Sequence, residues 1–368
     1  MSVVAMNDFR READELIRAE LAACERVIRS GWWILGREVT AFEQAWAAYL
    51  GAPAAVGCAN GLDAIELGLR ALDIGPGDEV ITTPMTAFAT VLAVLRAGAV
   101  PVLADIDPET AMLCVASVKR CIGPRTRAVL LVHLYGQAGP LEELLDLLKD
   151  RGIQLLEDCA QAHGAMSGGR SVGNFGAFAA WSFYPTKNLG AIGDGGALTT
   201  SRPELAEKIR VLRNYGQTVR YQHPFLGMNS RLDELQAAIL RVRLQYMPQW
   251  IARRREIATR YAAEIGNRHV RPMPLPEDRL RHSHHLFVVR CAQRRELQEY
   301  LRDQEVESLI HYPIPIHMQE PCRQLGRDPE GLRAAEVHAD TCLSLPCHAG
   351  LSDVEVGQVI AAVNRFAG

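Results

Sequence analysis

The chain has 368 residues, of which 48% are hydrophobic and 23% charged, and its formal net charge is -3 at pH 7. This composition is typical of a globular protein with a sizeable core, and it lacks the basic excess of nucleic-acid or membrane-surface binders. The nine cysteines form no C-x-x-C pair, which argues against a zinc site or a disulfide framework and favours a reducing, cytoplasmic location.

Short apolar runs alternate with longer amphipathic segments along the first 200 residues. This alternation predicts βαβ units and a mostly parallel sheet, so the expected fold class is α/β. The helix after the first strand is a clear example, because Leu62, Ile65, Leu69 and Leu72 recur on one helical face. The predicted strands cover residues 53–57, 79–83, 100–105, 127–134, 153–158, 177–184 and 196–200.

A long, charged helical pattern begins near residue 231, and a second alternation of strands and helices follows it. Candidate strands in this part are HHLFVVR (284–290), VESLIHY (306–312) and SLP (344–346). We therefore predict two domains. Residues 1–249 form the large one, with an N-terminal helical segment, and residues 250–368 form the small C-terminal one.

Lys187 lies in the stretch WSFYPTKNLGAIGDGGALTT (181–200), between an apolar strand and a loop with several glycines. A dinucleotide-binding fingerprint does not explain this stretch. The glycines of such a fingerprint follow the first strand and open a helix, whereas the glycines of this stretch run into the strand-like ALTT. A tight turn would account for the glycines but not for the lysine. The pattern indicates that another group comes close to Lys187.

Other candidate residues lie where predicted strands end or a helix begins. Asp158 ends one strand and Ser182 lies in the strand before Lys187, and in parallel sheets such strand ends face the ligand crevice. Asn60 and Gly61 precede a helix, whose free N–H groups favour a phosphate. Pyridoxal phosphate needs a lysine amine for its Schiff base, an acid that keeps its ring nitrogen protonated, and a phosphate grip. The sequence therefore predicts a pyridoxal-phosphate enzyme in which Lys187 and Asp158 are catalytic.

Six motifs carry a resemblance to a known family. They are SGWWILGREVTAFE (30–43), VGCANGLDAIELGLRALDIGPGDEVITTP (56–84), LLEDCAQAHGA (155–165), SFYPTKNLGAIGDGGAL (182–198), MNSRLDELQAAIL (228–240) and LIHYPIPIHMQ (309–319). On these motifs the chain resembles the DegT-type (DegT/StrS-like) nucleotide-sugar aminotransferases of fold type I. The resemblance implies an aspartate-aminotransferase-like fold and transfer of an amino group from an amino acid, commonly glutamate, to a nucleotide-linked keto-sugar.

The resemblance also implies a role for individual residues. Lys187 would be the Schiff-base lysine, Asp158 the partner of the pyridine nitrogen, and Gln161 a contact to the cofactor ring or its hydroxyl. The family works as a homodimer, and Asn229 would reach the phosphate from the neighbouring subunit. The other implied phosphate contacts are Ser182 and the turn Asn60, Gly61 and Leu62.

The sequence departs from the family pattern at two places. Where an aromatic residue of the family often stacks on the cofactor, TAFAT (86–90) has Ala87, and Phe88 one residue later is the candidate in its place. Where many members have Ser-Gly-Thr, this chain has Asn-Gly-Leu, so Asn60 and backbone N–H groups must replace at least one hydroxyl contact.

Candidate substrate contacts are Tyr184, His311 and His163, although a structural role weighs equally for the two histidines. The branch that the chain resembles most acts on thymidine-diphosphate 3-keto-6-deoxyhexoses. One alternative is a 4-keto-sugar or cyclitol aminotransferase of the same family. Another is a cofactor-binding regulatory relative without turnover, and the intact Lys187 and Asp158 argue against this regulatory role. We predict no metal site in RHSHH (281–285), because His284 and His285 should point to opposite faces of a following strand.

Overall fold

The computed structural model of the protein describes residues 3–368 and has an eight-stranded sheet at its centre. The strands are β1 (Ala54–Cys58), β2 (Glu79–Thr82), β3 (Val100–Leu103), β4 (Thr126–Val132), β5 (Gln154–Asp158), β6 (Met166–Ser167), β7 (Arg170–Ser171), β8 (Ala179–Ser182), β9 (Gly196–Thr200), β10 (Arg271–Pro272), β11 (Phe287–Arg290), β12 (Gly326–Arg327) and β13 (Cys342–Leu345). The helices are α1 (Asp14–Ser30), α2 (Arg37–Leu50), α3 (Gly61–Ala71), α4 (Phe88–Arg96), α5 (Val115–Cys121), α6 (Leu141–Leu148), α7 (Pro203–Leu212), α8 (Glu234–Leu244), α9 (Met247–Glu264), α10 (Arg294–Asp303), α11 (Arg333–Thr341) and α12 (Asp353–Arg365).

The central sheet has the strand order β1-β9-β8-β5-β4-β2-β3-β12. Neighbouring strands from β8 to β12 run parallel, whereas β9 is antiparallel to both β1 and β8. The carboxyl ends of β5 and β8 therefore lie at the same edge of the sheet, with Asp158 and Ser182 as their last residues. The prediction of an α/β fold with a mostly parallel sheet is confirmed.

Helices cover both faces of this sheet, which explains why its inner strands are almost wholly apolar. Side chains alternate along β4, so Val129 and Leu131 pack on one face with α2 and α6, in a core that includes Phe42. Ala128 and Leu130 pack on the other face, in a second core with α3 and α7. Within residues 3–368, no helix has the length and apolar character needed to cross a bilayer.

The C-terminal part has its own antiparallel sheet, in the order β10-β11-β13, and its own core with α9, α10 and α12. The helix α9 belongs to both parts of the molecule, because Ile251 packs in the first core of the large sheet and Ile257 in the C-terminal core. The predicted boundary between residues 249 and 250 falls within α9. The division into two domains at that point stays a prediction.

Two segments differ from the sequence-based expectation. The long helical pattern is broken into α8 and α9 at Gln245 and Tyr246, and Pro248 lies in the first turn of α9, where its missing N–H is not needed. The segment 306–312 is not a strand and makes only isolated bridges, from Val306 to Val4 and from Leu309 to Ser344.

Candidate active site

The loop that carries Lys187 folds back tightly after β8, and its glycines make this possible. A Cβ at Gly190 would collide with the Pro185 carbonyl group, and a Cβ at Gly196 would collide with the carbonyl group of Asn60. Both collisions involve backbone atoms, so no side-chain rearrangement would relieve them. The glycines therefore allow the lysine loop to close on itself and the start of β9 to reach the turn before α3.

Lys187 and Asp158 lie close enough for each to influence the other's protonation. Burial lowers the pKa of Lys187 to about 8, and the charge of Asp158 acts in the opposite direction. Burial also raises the pKa of Asp158, and the Thr90 hydroxyl, the Ala160 N–H and the Lys187 charge oppose that rise. With a pKa of about 8, Lys187 has a larger fraction of neutral amine than an ordinary lysine, and the neutral amine is the nucleophilic form.

Asp158 is held by a directed chain of hydroxyl groups. Its Oδ2 accepts a hydrogen bond of 2.8 Å from the Thr90 hydroxyl, and its Oδ1 accepts one of 3.1 Å from the Ala160 N–H. While Asp158 is ionised, the single proton of Thr90 is committed to it, so in the 2.7 Å contact between Thr90 and Thr86 the donor must be Thr86. An ionised carboxylate accepts about four hydrogen bonds, which leaves room for the N–H of a pyridine ring.

The start of α3 and the end of β8 form a cradle of hydrogen-bond donors. Asn60 caps the helix, because its Oδ1 accepts a 2.8 Å bond from the Asp63 N–H, and this leaves the Asn60 amide NH₂ as a donor. The N–H groups of Gly61 and Leu62 belong to the first helical turn and have no partner within the helix. A Cβ at Gly61 would lie 2.8 Å from the Ser182 Cβ, so only glycine lets the helix approach Ser182 this closely.

Gln161 is buried and fixed at both ends of its amide. Its Oε1 accepts a 2.6 Å bond from the Tyr135 N–H, and its Nε2 donates a 3.1 Å bond to the Tyr312 hydroxyl. Tyr135 has a φ of 61°, which is uncommon for a residue other than glycine, and its hydroxyl donates to the His311 carbonyl. Strained backbone of this kind clusters at functional sites. Tyr135 therefore links Gln161 to the segment that carries His311.

Tyr312 is a site residue that the sequence analysis missed. Burial raises the pKa of its hydroxyl to about 12, and the nearby charge of Asp158 adds to this. Thr90 and Tyr135 were also missed. A signal existed for Tyr135, which directly follows the predicted strand 127–134, just as Asp158 ends the next strand. For Tyr312 the signal was its position beside His311.

Two of the predicted substrate contacts lie near the lysine. Burial lowers the pKa of His311 to about 4, and the Lys187 charge contributes, which indicates that the imidazole is close to the amine. The His311 Nδ1 lies 2.9 Å from the Ser344 hydroxyl. Tyr184 belongs to the lysine loop and is 53% exposed, so its side chain is open to solvent beside the site.

Phe88 is the predicted cofactor contact that the structure places elsewhere. Its ring packs against a small core that includes Leu103, Ile316 and Leu332. Thr90, which faces Asp158, lies two residues further along α4 and therefore about 200° around the helix. Ala87 is the N-cap residue of α4, so the position where the family often has its aromatic ring carries only a methyl group.

His163 has no exposed surface and is enclosed by aromatic rings. Its ring centroid lies 5.7 Å from that of Trp46, 5.4 Å from Trp181 and 5.8 Å from Phe183. Burial lowers its pKa to about 3, with a contribution from the Lys187 charge, so the imidazole is neutral. These surroundings favour the structural alternative for His163 over contact with a substrate.

The histidines of residues 281–285 differ from the expectation in one respect. They precede β11 and do not lie on a strand, and the rings of His282 and His284 stack with centroids 3.8 Å apart. Elsewhere in the described chain, His133, Glu157 and Cys159 have potential metal-ligand atoms within 4.8 Å of one another. The Glu157 carboxylate already accepts the N–H groups of Gly173, Phe175 and Gly176, so it anchors the loop before β8.

The arrangement fits pyridoxal phosphate in every part that the cofactor requires. Three groups lie around the carboxyl ends of β5 and β8. They are Lys187 with its lowered pKa, the buried Asp158 with free acceptor sites, and the N-terminus of α3 with its open N–H donors. Together with the fold, this defines the class of aspartate-aminotransferase-like pyridoxal-phosphate enzymes.

Comparison with known proteins identifies the family. Residues 14–364 match the DegT/DnrJ/EryC1/StrS aminotransferase family, and the chain belongs to it. The chain is 46% identical over 344 residues, 94% of both chains, to a dTDP-3-amino-3,6-dideoxy-alpha-D-galactopyranose transaminase of Aneurinibacillus thermoaerophilus. It is also 46% identical over 347 residues, again 94% of both chains, to the erythromycin biosynthesis sensory transduction protein EryC1 of Saccharopolyspora erythraea.

Among solved structures, DesV of S. venezuelae superimposes with a TM-score of 0.95 at 42% identity, covering 99% of this chain and 98% of that one. The predictions of the family, of an aminotransferase and of pyridoxal phosphate as its cofactor are confirmed.

Proposed function

We propose that the protein transfers an amino group from an amino acid, with glutamate as the first candidate, to the C3 ketone of a nucleotide-linked 3-keto-6-deoxyhexose. The observation that carries the chemistry is the pairing of Lys187 with Asp158 beside the donor cradle of α3. The sugar assignment is supported by the relatives, since the A. thermoaerophilus protein is named as a transaminase of a dTDP-3-amino-3,6-dideoxy sugar.

The residues of the site divide the work of the reaction. Bound pyridoxal phosphate supplies an electron sink for the carbon that loses its proton. Lys187 Nζ would hold the cofactor, and its neutral amine would be the base that moves that proton. Asp158 would keep a proton on the pyridine nitrogen, and Thr90 holds Asp158 in position through its hydrogen bond. The donors of Asn60, Gly61, Leu62 and Ser182 hold the phosphate.

His311 and Tyr184 are the residues that we assign to the sugar nucleotide. Both carry groups that hydrogen-bond to hydroxyl or diphosphate oxygens. A site built to hydrogen-bond a hydroxyl discriminates strongly against an analogue that lacks it. The lowered pKa of His311 keeps its imidazole neutral, so it can accept a hydrogen bond at one nitrogen.

We also propose that the active unit is a homodimer with shared sites, working in the cytoplasm. Asn229 is exposed on its own chain, as expected of a residue that serves a neighbouring subunit. The segment before it carries an unusual number of exposed apolar side chains, which favours burial against another surface: Tyr215, Val219, Tyr221, Phe225 and Leu226. The nine cysteines are all free thiols, which fits a reducing compartment.

A panel of nucleotide keto-sugars, with products identified by mass spectrometry, tests the substrate assignment. We expect a higher kcat/KM for a thymidine-diphosphate 3-keto-6-deoxyhexose than for its 4-keto isomer. We also expect His311→Ala to impair sugar turnover more than the half-reaction with the amino donor. A preference for the 4-keto isomer or for a cyclitol ketone would contradict the C3 assignment and leave the aminotransferase class intact.

A second candidate is a cofactor-binding regulator without turnover, because the S. erythraea relative is named as a sensory transduction protein. The intact Lys187 and Asp158 favour the enzyme. The half-reaction separates the two: an enzyme exposed to glutamate should lose the absorbance of its cofactor's aldehyde form, whereas a regulator should keep it.

A further inference from the structure

A small cavity of about 90 Å³ lies next to the lysine loop, between the N-terminal segment and the C-terminal part of the chain. Thr186, which directly precedes Lys187, is in its wall, together with Asn7, His285 and His311. The remaining lining residues are aliphatic side chains, a methionine and a cysteine. Neither the phosphate cradle nor the pairing of the lysine with its acid accounts for this cavity.

The imidazole of His285 presents a free nitrogen to the cavity. His285 is only 9% exposed, and burial, followed by the charges of Lys187 and Arg254, lowers its pKa, so the ring is neutral. Its Nδ1 is buried without a partner, whereas its Nε2 forms no hydrogen bond within residues 3–368 and remains accessible from the cavity. A buried N–H without a partner is rarer than an unsatisfied acceptor, which places the single ring proton on Nε2. His285 Nε2 is therefore an N–H donor directed into the cavity.

The imidazole of His311 presents a second donor. The buried Ser344 hydroxyl lies 2.9 Å from His311 Nδ1, which is the only partner of that hydroxyl in the described part of the chain. The hydroxyl proton of Ser344 is satisfied only when it is donated to Nδ1, and this leaves the ring proton of His311 on Nε2. That nitrogen also has no partner among residues 3–368, and His311 borders the same cavity. The charge of a protonated His311 would lower the pKa of His285, so the two rings are near each other.

The chemistry of the cavity suits an uncharged hydroxyl group better than an anion. None of the described residues that line it is charged, and burying an anion among neutral groups costs far more than burying an alcohol. A hydroxyl oxygen has two lone pairs for two N–H donors, and its proton can go to the Asn7 amide oxygen or the Thr186 hydroxyl. Pockets that enclose a whole small-molecule ligand begin at about 300 Å³, so only one edge of a sugar ring fits here.

We propose that His285 and His311 bind the C4 hydroxyl of the keto-sugar, next to the C3 ketone that receives the amino group. This inference rests on the function proposed above, in which the substrate is a 3-keto-6-deoxyhexose. Such a sugar has hydroxyls at C2 and C4, on either side of the ketone. C2 adjoins the carbon that carries the nucleotide, and the cavity has no room for a diphosphate, so the edge that enters it is the edge with C4. The protein therefore selects sugars that keep the C4 hydroxyl over 4-deoxy sugars.

Calorimetric titration of the holoenzyme tests this with sugar nucleotides that have a hydroxyl in place of the ketone and cannot react. The 4-hydroxy ligands are thymidine-diphosphate 6-deoxyglucose and its 4-epimer, and the third ligand is their common 4-deoxy counterpart. We expect the wild type to bind the tighter 4-hydroxy ligand with a Kd about tenfold or more below that of the 4-deoxy ligand. His285→Leu removes a donor and should lose affinity only for the hydroxyl, so its two Kd values should differ by less than about threefold.

His317→Gln is the matched control. His317 is also a buried histidine whose pKa is lowered by burial, but it pairs with Glu336 and does not border the cavity. Its variant should keep the preference of the wild type for the 4-hydroxy ligand. Thermal unfolding shows whether each variant folds. If His285→Leu does not, His311→Ala decides the question with the same expected loss of preference.

Equal Kd values for the 4-hydroxy and 4-deoxy ligands in the wild type would overturn the proposal. So would an unchanged preference in His285→Leu, or in His311→Ala where the first variant does not fold. Weak binding of a 2-deoxy ligand, with normal binding of the 4-deoxy one, would assign the cavity to C2 and also overturn it. These results leave the proposed function intact. If that function were wrong, the wild type would bind none of these sugar nucleotides and aminate no keto-sugar, and the inference would fall with it.

Discussion

At the scale of single residues, burial raises the pKa of Asp158, and the hydrogen bond from the Thr90 hydroxyl opposes that rise. The Thr90→Val variant lacks this hydroxyl, and its free energy of unfolding should be lower by about 1.5–3 kcal/mol, because the lost hydrogen bond is to a charged group. Asp158 acts while ionised and the Thr90 bond lowers its pKa, so the variant's pKa should rise and the acidic limb of kcat/KM should move to higher pH. Steady-state kinetics across pH measure this shift. Thr90→Ser keeps the hydroxyl and should restore the profile, whereas an unmoved limb in Thr90→Val would contradict the role.

The lowered pKa of Lys187 predicts the pH dependence of cofactor attachment. Only the neutral amine attacks the aldehyde, so the rate at which apoprotein combines with pyridoxal phosphate should rise up to about pH 8 and then level off. An ordinary lysine, with a pKa of about 10.4, would give a rate that still rises above pH 9. Stopped-flow absorbance measures the rate, and borohydride reduction followed by peptide mapping should find the label on Lys187. A label on another lysine would refute the assignment.

The sequence identified those site residues whose position follows from a local rule. Asp158 and Ser182 end parallel strands, and Asn60 precedes a helix, so their neighbourhood could be predicted without coordinates. Thr90 could not be found in this way, because its role depends on where the fold places the start of α4 relative to the end of β5. Phe88 was predicted to contact the cofactor because it is the nearest aromatic residue in the sequence. It lies about 200° around α4 from Thr90, so its ring packs against a separate core while Thr90 contacts Asp158.

At the scale of elements, the N-terminus of α3 should tolerate no side chain at Gly61. In Gly61→Ala the new Cβ would lie 2.8 Å from that of Ser182, so the helix would have to move away and the phosphate donors would separate. We expect the affinity for pyridoxal phosphate to fall at least tenfold, measured by equilibrium titration of the apoprotein. Gly357→Ala in α12, where a Cβ would meet nothing within 4 Å, is the control and should bind normally. Equal affinities in the two variants would exclude this role for the turn.

The strands of the central sheet were predictable to different degrees. All seven predicted strands, 53–57 through 196–200, are present in the structure. They could be predicted because a strand buried on both faces needs a continuous apolar run, which is visible in the sequence. The eighth, β12, is only the dipeptide Gly326–Arg327, and its pairing with β3 comes from the path of the chain rather than from any apolar pattern. A strand of this kind has no signature in the sequence.

At the scale of the whole molecule, shared sites predict complementation between inactive chains. Lys187→Ala lacks the amine, and Asn229→Ala lacks the contact that we assign to the neighbouring subunit. Mixing the two under conditions of subunit exchange should restore activity, since one site of each heterodimer then has both residues. Transaminase assays of the mixture and of each variant alone measure the effect. Full activity of Asn229→Ala alone, or a monomeric mass in solution, would contradict the shared site.

The position of α9 in two cores has a thermodynamic consequence. Because Ile251 and Ile257 anchor one helix in both parts of the molecule, loss of either core should remove support from the other. All five tryptophans lie at or before residue 250, so their fluorescence reports on the large sheet and its surroundings. Ile257→Ala, which truncates a side chain of the C-terminal core, should cost about 2–5 kcal/mol of unfolding free energy. With coupled cores, that loss lowers the midpoint of the tryptophan-monitored unfolding curve. Unfolding is then one cooperative transition, in which damage to the C-terminal core is felt across the whole chain.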